Sequence, residues 1–226
     1  MNLICFPHYT CGGLLCDIME DVMSEFADNG GIANPSHNAG KIGDSIDVFT
    51  DYDVDEFLSR VEPWMRSNRW IGTHCWPGPL PLERFETVIN ITTTTYTSKI
   101  YRWYRAYVLY HQPMWAHLTG TDLVDKIVTV AKSYVIPSLP VSAPNVFNLE
   151  FADLVQQTEE FDQVLDRGCV PRNGAAHHMQ RWMKQNEFLY NIDIWNSVPT
   201  RSFFHAEFEI NLGRGYQWGN AKNYNT

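Results

Sequence analysis

The chain has 226 residues, of which 44% are apolar and 14% aromatic. That supports one domain with a substantial core and excludes intrinsic disorder. Its 17 Lys and Arg against 26 Asp and Glu give a formal charge of −9, which argues against non-specific binding to nucleic acid or an acidic membrane.

Leu3 to Phe6 reads as a short buried strand that stops at Pro7. The run is too short for a signal sequence or a membrane span. With no secretory signal and an odd count of five Cys, the expectation is a soluble, cytoplasmic protein with reduced thiols. Pro7 to Gly13 is a turn-prone loop. Leu14, Leu15, Ile18, Met19, Val22 and Phe26 then recur at helical spacing. Asn29 to Gly43 is a loop by composition, and Ser45 to Thr50 suggests a short strand. A helix is predicted over 53–65, with Val54, Phe57, Leu58 and Val61 on one face.

Trp70 to Thr73 reads as a second buried strand ending at His74. Pro77, Pro79 and Pro81 break the chain after it. Thr87 to Ile91 is a third strand, followed by an aromatic-rich helix over 98–110 and another over 122–134. Pro137, Pro140 and Pro144 mark a linker. Asn145 to Leu149 is a fourth strand, with helices near 151–167 and 174–190 after it. The segment 191–226 is expected to be a C-terminal tail packing on a single domain spanning 1–226.

Strands alternating with helices predict an α/β fold with a parallel sheet and helices on both faces. Ligands in such sheets bind beyond the carboxyl ends of the strands. That edge gathers the loop 7–13, His74 and the segment 92–98.

The first loop is the richest in chemistry. A glycine pair between strand and helix lets backbone amides approach a phosphate, and the helix N-terminus adds partial positive charge. The equal-weight reading is an ordinary tight turn. No Lys follows the glycines, so an ordinary ATPase or GTPase loop is excluded. Cys11 in an anion loop suggests a phosphatase nucleophile. Asp17 follows it and no Arg occurs before Arg60, which argues against that chemistry. Cys5, Cys16, Cys75 and Cys169 read as small buried hydrophobes. His74 at a strand's carboxyl end suits a general base, although a core histidine is the commoner use of such a position. His177-His178 with Cys169 has no metal-ligand spacing and reads as helix surface. Tyr101, Trp103, Tyr104, Tyr107 and Tyr110 are mainly helix packing, with some available to an acceptor pocket.

Taken in order, these segments resemble the P-loop sulfotransferase superfamily. Phe6-Pro7-His8-Tyr9-Thr10-Cys11-Gly12-Gly13-Leu14-Leu15 is similar to that family's sulfate loop. Gly72-Thr73-His74-Cys75-Trp76-Pro77 is similar to its strand ending in Thr-His-Leu-Pro. Thr87 to Ile91 matches the strand before the 3′-phosphate site, and Val146 to Leu154 matches the later strand and acidic turn. The resemblance spans about residues 3–190. It implies a three-layer, P-loop-like parallel sheet flanked by helices. It also implies transfer of a sulfuryl group from 3′-phosphoadenosine 5′-phosphosulfate (PAPS) to a hydroxyl or amine, without a metal.

The resemblance assigns His74 as base and His8 to the transferring oxygens. Tyr9, Thr10, Cys11, Gly12, Gly13 and Leu14 would hold the 5′-phosphosulfate. Thr92, Thr93, Ser98, Arg102 and Arg172 would recognise the 3′-phosphate. Two positions depart from the family pattern. His8 stands where a Lys or Arg is usual, and Thr92 and Thr93 replace an Arg. These losses motivate an alternative, a non-catalytic nucleotide-binding or interaction protein on the same fold. A phosphate-ester enzyme using His8 and His74 is a third reading. The sequence does not disclose the acceptor or the oligomeric state.

Overall fold

Four short apolar runs become strands: β1 (Asn2–Cys5), β2 (Trp70–Thr73), β3 (Thr87–Thr92) and β4 (Val146–Glu150). They belong to a computed structural model that describes residues 2–20, 54–62, 70–133, 138–170 and 172–190. All pairings are parallel, in the order β2-β1-β3-β4. β1 and β2 are buried throughout, and β3 from Val88 onward. Burial on both faces makes such strands read as unbroken apolar runs. β4, at one edge of the described sheet, is more exposed.

The described helices are α1 (Gly12–Glu20), α2 (Val54–Val61), α3 (Tyr96–Ala106), α4 (Gln112–Met114), α5 (Gly120–Ser133), α6 (Phe151–Gln156), α7 (Glu159–Arg167) and α8 (Arg172–Gln185). Alternation along the strands divides the core into two. On one face, Ile4, Ile89 and Ile91 pack with Leu15 and Ile18 of α1, Trp103 of α3, Leu154 of α6 and Met179 of α8. On the other, Leu3, Cys5, Ile71 and Val88 pack with Phe57 of α2, Leu80 and Phe85. The chain is thus α/β, with a parallel sheet covered on both faces. α1 lies close to β2 because Gly72 has no side chain; a Cβ there would come 2.5 Å from the Cys16 sulfur.

Several boundaries differ from the sequence expectation. α3 starts at Tyr96 because Thr95 caps it, its hydroxyl accepting from the Ser98 amide at 3.2 Å. The helix then widens into a π-turn over Tyr107–His111. Pro113 follows, and it has no N–H to give the carbonyl four residues back. The predicted helix over 151–167 is two helices, divided at Gln157, which is left-handed (φ 54°). Residues 138–141 are a fastened strap rather than a free linker. The Leu139 carbonyl accepts from the Trp76 indole at 3.1 Å and the Asn90 amide at 3.0 Å, and Asn148 pairs with Val141 through both its side-chain atoms. The suggested strand at 45–50, the loop at 29–43 and the tail 191–226 lie outside the described residues.

Candidate functional site

The strand order has a switch point between β1 and β3. β1 leads to β2 on one side, and β2 leads to β3 on the other. A crevice opens beyond the carboxyl ends of strands at such a point. Here those ends are Cys5, followed by the loop 6–11, and Thr92, followed by the run of threonines.

The loop is built by fixing its carbonyls. The Phe6 amide extends the sheet by donating to the Thr73 carbonyl at 2.9 Å. The Phe6 carbonyl accepts from His74 Nδ1 at 3.0 Å. The Pro7 carbonyl accepts from the Thr10 hydroxyl at 2.7 Å and the Thr10 amide at 3.3 Å. Arg102 Nε donates to the His8 carbonyl at 3.0 Å, and Arg105 Nη1 to the Tyr9 carbonyl at 3.3 Å. Tyr9 and Cys11 are left-handed, with φ of 69° and 62°. For residues with a side chain this costs about 1–2 kcal/mol each, which the tethers offset. The amides of the first turn of α1, starting at Gly12, have no acceptor within their own helix. Helix-start amides of this kind favour negative charge.

Gly12 has a role that composition alone does not reveal. A Cβ there would lie 1.9 Å from the Phe6 ring. The glycine admits the ring, and the unusual backbone angles fall on Tyr9 and Cys11 instead. Gly13 and Leu14 are half-buried in the same turn, and Cys11 is buried. Burial pushes the Cys11 thiol up to about 11, with the Arg105 charge offsetting only part of this. It is therefore a neutral packing group, not a nucleophile.

His74 and His8 meet over this loop. Their rings stack at a centroid distance of 3.8 Å, and the Phe6 ring meets His74 edge-on at 4.5 Å. A carbonyl accepts only from a protonated nitrogen, so the bond to Phe6 places the His74 proton on Nδ1. Nε2 then carries the lone pair and can take a proton.

The carboxyl end of β3 is arranged differently. The Thr92 hydroxyl donates to Glu150 Oε1 at 2.9 Å. Thr93 is clasped by the strap: its hydroxyl accepts from the Ser138 amide at 2.9 Å and its amide donates to the Ser138 carbonyl at 3.1 Å. The Ser98 hydroxyl accepts from the Ala152 amide at 2.9 Å and lies 2.9 Å from the Thr95 hydroxyl. Arg102 holds the first loop through the His8 carbonyl. Arg172 is the first residue of α8. Thus His8, His74 and Tyr9 to Leu14 come together, while Thr92, Thr93, Ser98 and Arg102 each hold another part of the protein.

Three groups were not singled out by sequence. Arg105 joins Arg102 behind the loop and also donates to Asn186 Oδ1 at 2.8 Å. The spacing of three on one helix was the available signal. Lys99 is buried, only 2% exposed. Glu150 occupies the start of α3. Two smaller expectations are corrected. Cys169 is exposed, in a left-handed turn (φ 52°) after α7. His178 is buried while His177 is exposed, as adjacent positions on a helix face different ways.

Among the described residues, no group of three or more His, Cys, Asp or Glu is placed to hold a metal ion. None of the described helices is long and apolar enough to cross a membrane. In comparisons with known proteins, no family model, no curated protein and no solved structure matches the chain.

Proposed function

We propose that the chain is a group-transfer enzyme of the sulfotransferase type. The observation that carries the reading is the contact between His74 Nδ1 and the Phe6 carbonyl at 3.0 Å. A carbonyl only accepts, so Nδ1 carries the proton and Nε2 is the atom that would act as base, beside the loop that runs into α1. The donor is an adenosine 5′-phosphosulfate, and in the family that the sequence resembles it is PAPS. Its phosphosulfate would lie on the first turn of α1. An acceptor hydroxyl or amine attacks sulfur as His74 Nε2 removes its proton. The new oxygen–sulfur or nitrogen–sulfur bond forms as the bond from sulfur to the bridging oxygen breaks. The nucleotide 5′-phosphate leaves with that electron pair. His8, stacked on His74, can donate a hydrogen bond to the transferring group. Such reactions depend chiefly on positioning and charge stabilisation.

The test is label transfer from a radiolabelled sulfur donor, with and without a 3′-phosphate, to a panel of phenols, sugars and amines. The wild-type protein is expected to transfer label. His74→Ala is expected to retain donor binding and to lose about 10²–10⁴ in rate. Wild-type turnover by His74→Ala would refute the base assignment.

A second reading is supported by Glu150. A carboxylate held at the start of α3 fits a non-catalytic nucleotide-binding or interaction protein on this fold. Nucleotide binding without transfer to any acceptor supports that reading over the first.

A further inference from the structure

Two guanidinium groups on one helix grip consecutive carbonyls of the first loop. Arg102 Nε donates to the His8 carbonyl at 3.0 Å, and Arg105 Nη1 donates to the Tyr9 carbonyl at 3.3 Å. Both belong to α3, close to one helical turn apart, so they leave the same face. Arg105 is itself oriented from behind, its Nε donating to Asn186 Oδ1 at 2.8 Å. Asn186 is 2% exposed and is fixed in turn, its side-chain amide donating to the Trp182 carbonyl of α8 at 2.9 Å.

The two carbonyls belong to the peptide planes on either side of the Tyr9 Cα. A peptide unit is planar, so holding both planes fixes the two dihedral angles between them. The conformation held is left-handed, with φ of 69°, which a residue with a Cβ disfavours. The His8 carbonyl is part of the first plane. The His8 ring is half-buried and lies on His74, with 3.8 Å between centroids and 27° between the rings. His74 is placed separately, through Nδ1 to the Phe6 carbonyl at 3.0 Å and edge-on against the Phe6 ring. One ring of the pair is thus set at the end of a strand. The other is set by a backbone turn that has to be held.

We propose that Arg102 and Arg105 are positioning residues that act through Tyr9 to set the His8 ring on His74. The inference goes beyond the proposed function, because it concerns the geometry of the histidine pair and holds with or without a sulfuryl donor.

Nuclear magnetic resonance of the His74 ring carbons and nitrogens tests it on the protein alone. His8→Ala removes the stacked ring and supplies the unstacked reference shifts. Arg102→Met keeps the apolar stem and loses the donor. Its His74 ring resonances are expected to move most of the way from the wild-type positions to those of His8→Ala, while the amides of β1, β2 and β3 stay in place. Arg102→Lys keeps a donor and is expected to bring the His74 resonances back toward wild type. Arg105→Met releases the other plane and is expected to displace them in the same direction, which keeps the test open if Arg102→Met does not fold. Wild-type His74 resonances in either folded Met variant overturn the proposal. So does a displacement as large in Arg102→Lys as in Arg102→Met, because the clamp works through a donor to the His8 carbonyl. Loss of label transfer by the wild type would remove the proposed function and leave this test untouched.

Discussion

Gly12→Ala offers a sharp test of how the first loop is built. Gly12 is the first residue of α1 and its φ is not positive. By helix propensity alone, Ala there would stabilise by about 0.5–1 kcal/mol. The structure reverses that sign. The new methyl would lie 1.9 Å from the Phe6 ring, well inside van der Waals contact. Phe6 is 2% exposed and touches His74 edge-on at 4.5 Å, so the ring has no open space to enter. Overpacking of this kind costs about 1–3 kcal/mol. Urea denaturation of the wild type, Gly12→Ala, Phe6→Ala and the double variant measures the effect. Gly12→Ala is expected to destabilise the wild type. In the Phe6→Ala background, where the ring is gone, the same change is expected to become neutral or stabilising. Neutral or positive stability for Gly12→Ala with Phe6 present would refute the packing argument.

Two further outcomes are expected from other side chains. Burial pushes the Glu150 carboxyl up, but hydrogen bonds from Ser98, Thr94 and Thr92 outweigh it and hold it below the ordinary value. A depressed carboxyl contributes stability above its unfolded pKa of about 4.3 and loses it as pH falls through the lower folded value. The stability gap between wild type and Glu150→Gln, measured by denaturation, is therefore expected to be widest near neutrality and to shrink in acid. A gap that grows in acid would be contrary to the hydrogen-bond account. Among the cysteines, Cys5, Cys11, Cys16 and Cys75 are buried and Cys169 is exposed, and burial pushes the Cys11 and Cys75 thiols up to about 11. A native thiol titration with a disulfide reagent is expected to find one fast group, lost in Cys169→Ser; a fast group that survives that substitution would contradict the burial of Cys11.

The sheet was legible in the sequence because β1, β2 and β3 are buried on both faces, and that leaves unbroken apolar runs. The meeting of the loop 7–13 with His74 was legible too, since parallel strands bring their carboxyl ends to one edge. What was not legible depended on contacts distant in sequence. Nothing near Glu150 signals that it will cap a threonine run 55 residues away. Arg102 reads as a phosphate ligand when only its neighbour Ser98 is considered, yet its partner is the His8 carbonyl, 94 residues distant. The break at Gln157 escaped because a left-handed helix end usually carries Gly or Asn. The packing role of a glycine was hidden in the same way. Gly12 signals close approach, but the approaching group is the Phe6 ring.

The claim on which the rest depends is that the start of α1, beneath the His8–His74 stack, binds an anionic donor. Titrating isotope-labelled protein with AMP, while following backbone amide resonances, measures this directly. The largest shifts are expected at Cys11, Gly12, Gly13 and Leu14, with the His74 ring responding beside them. Unmoved resonances at Gly12 to Leu14, with AMP bound elsewhere or not at all, would contradict the claim.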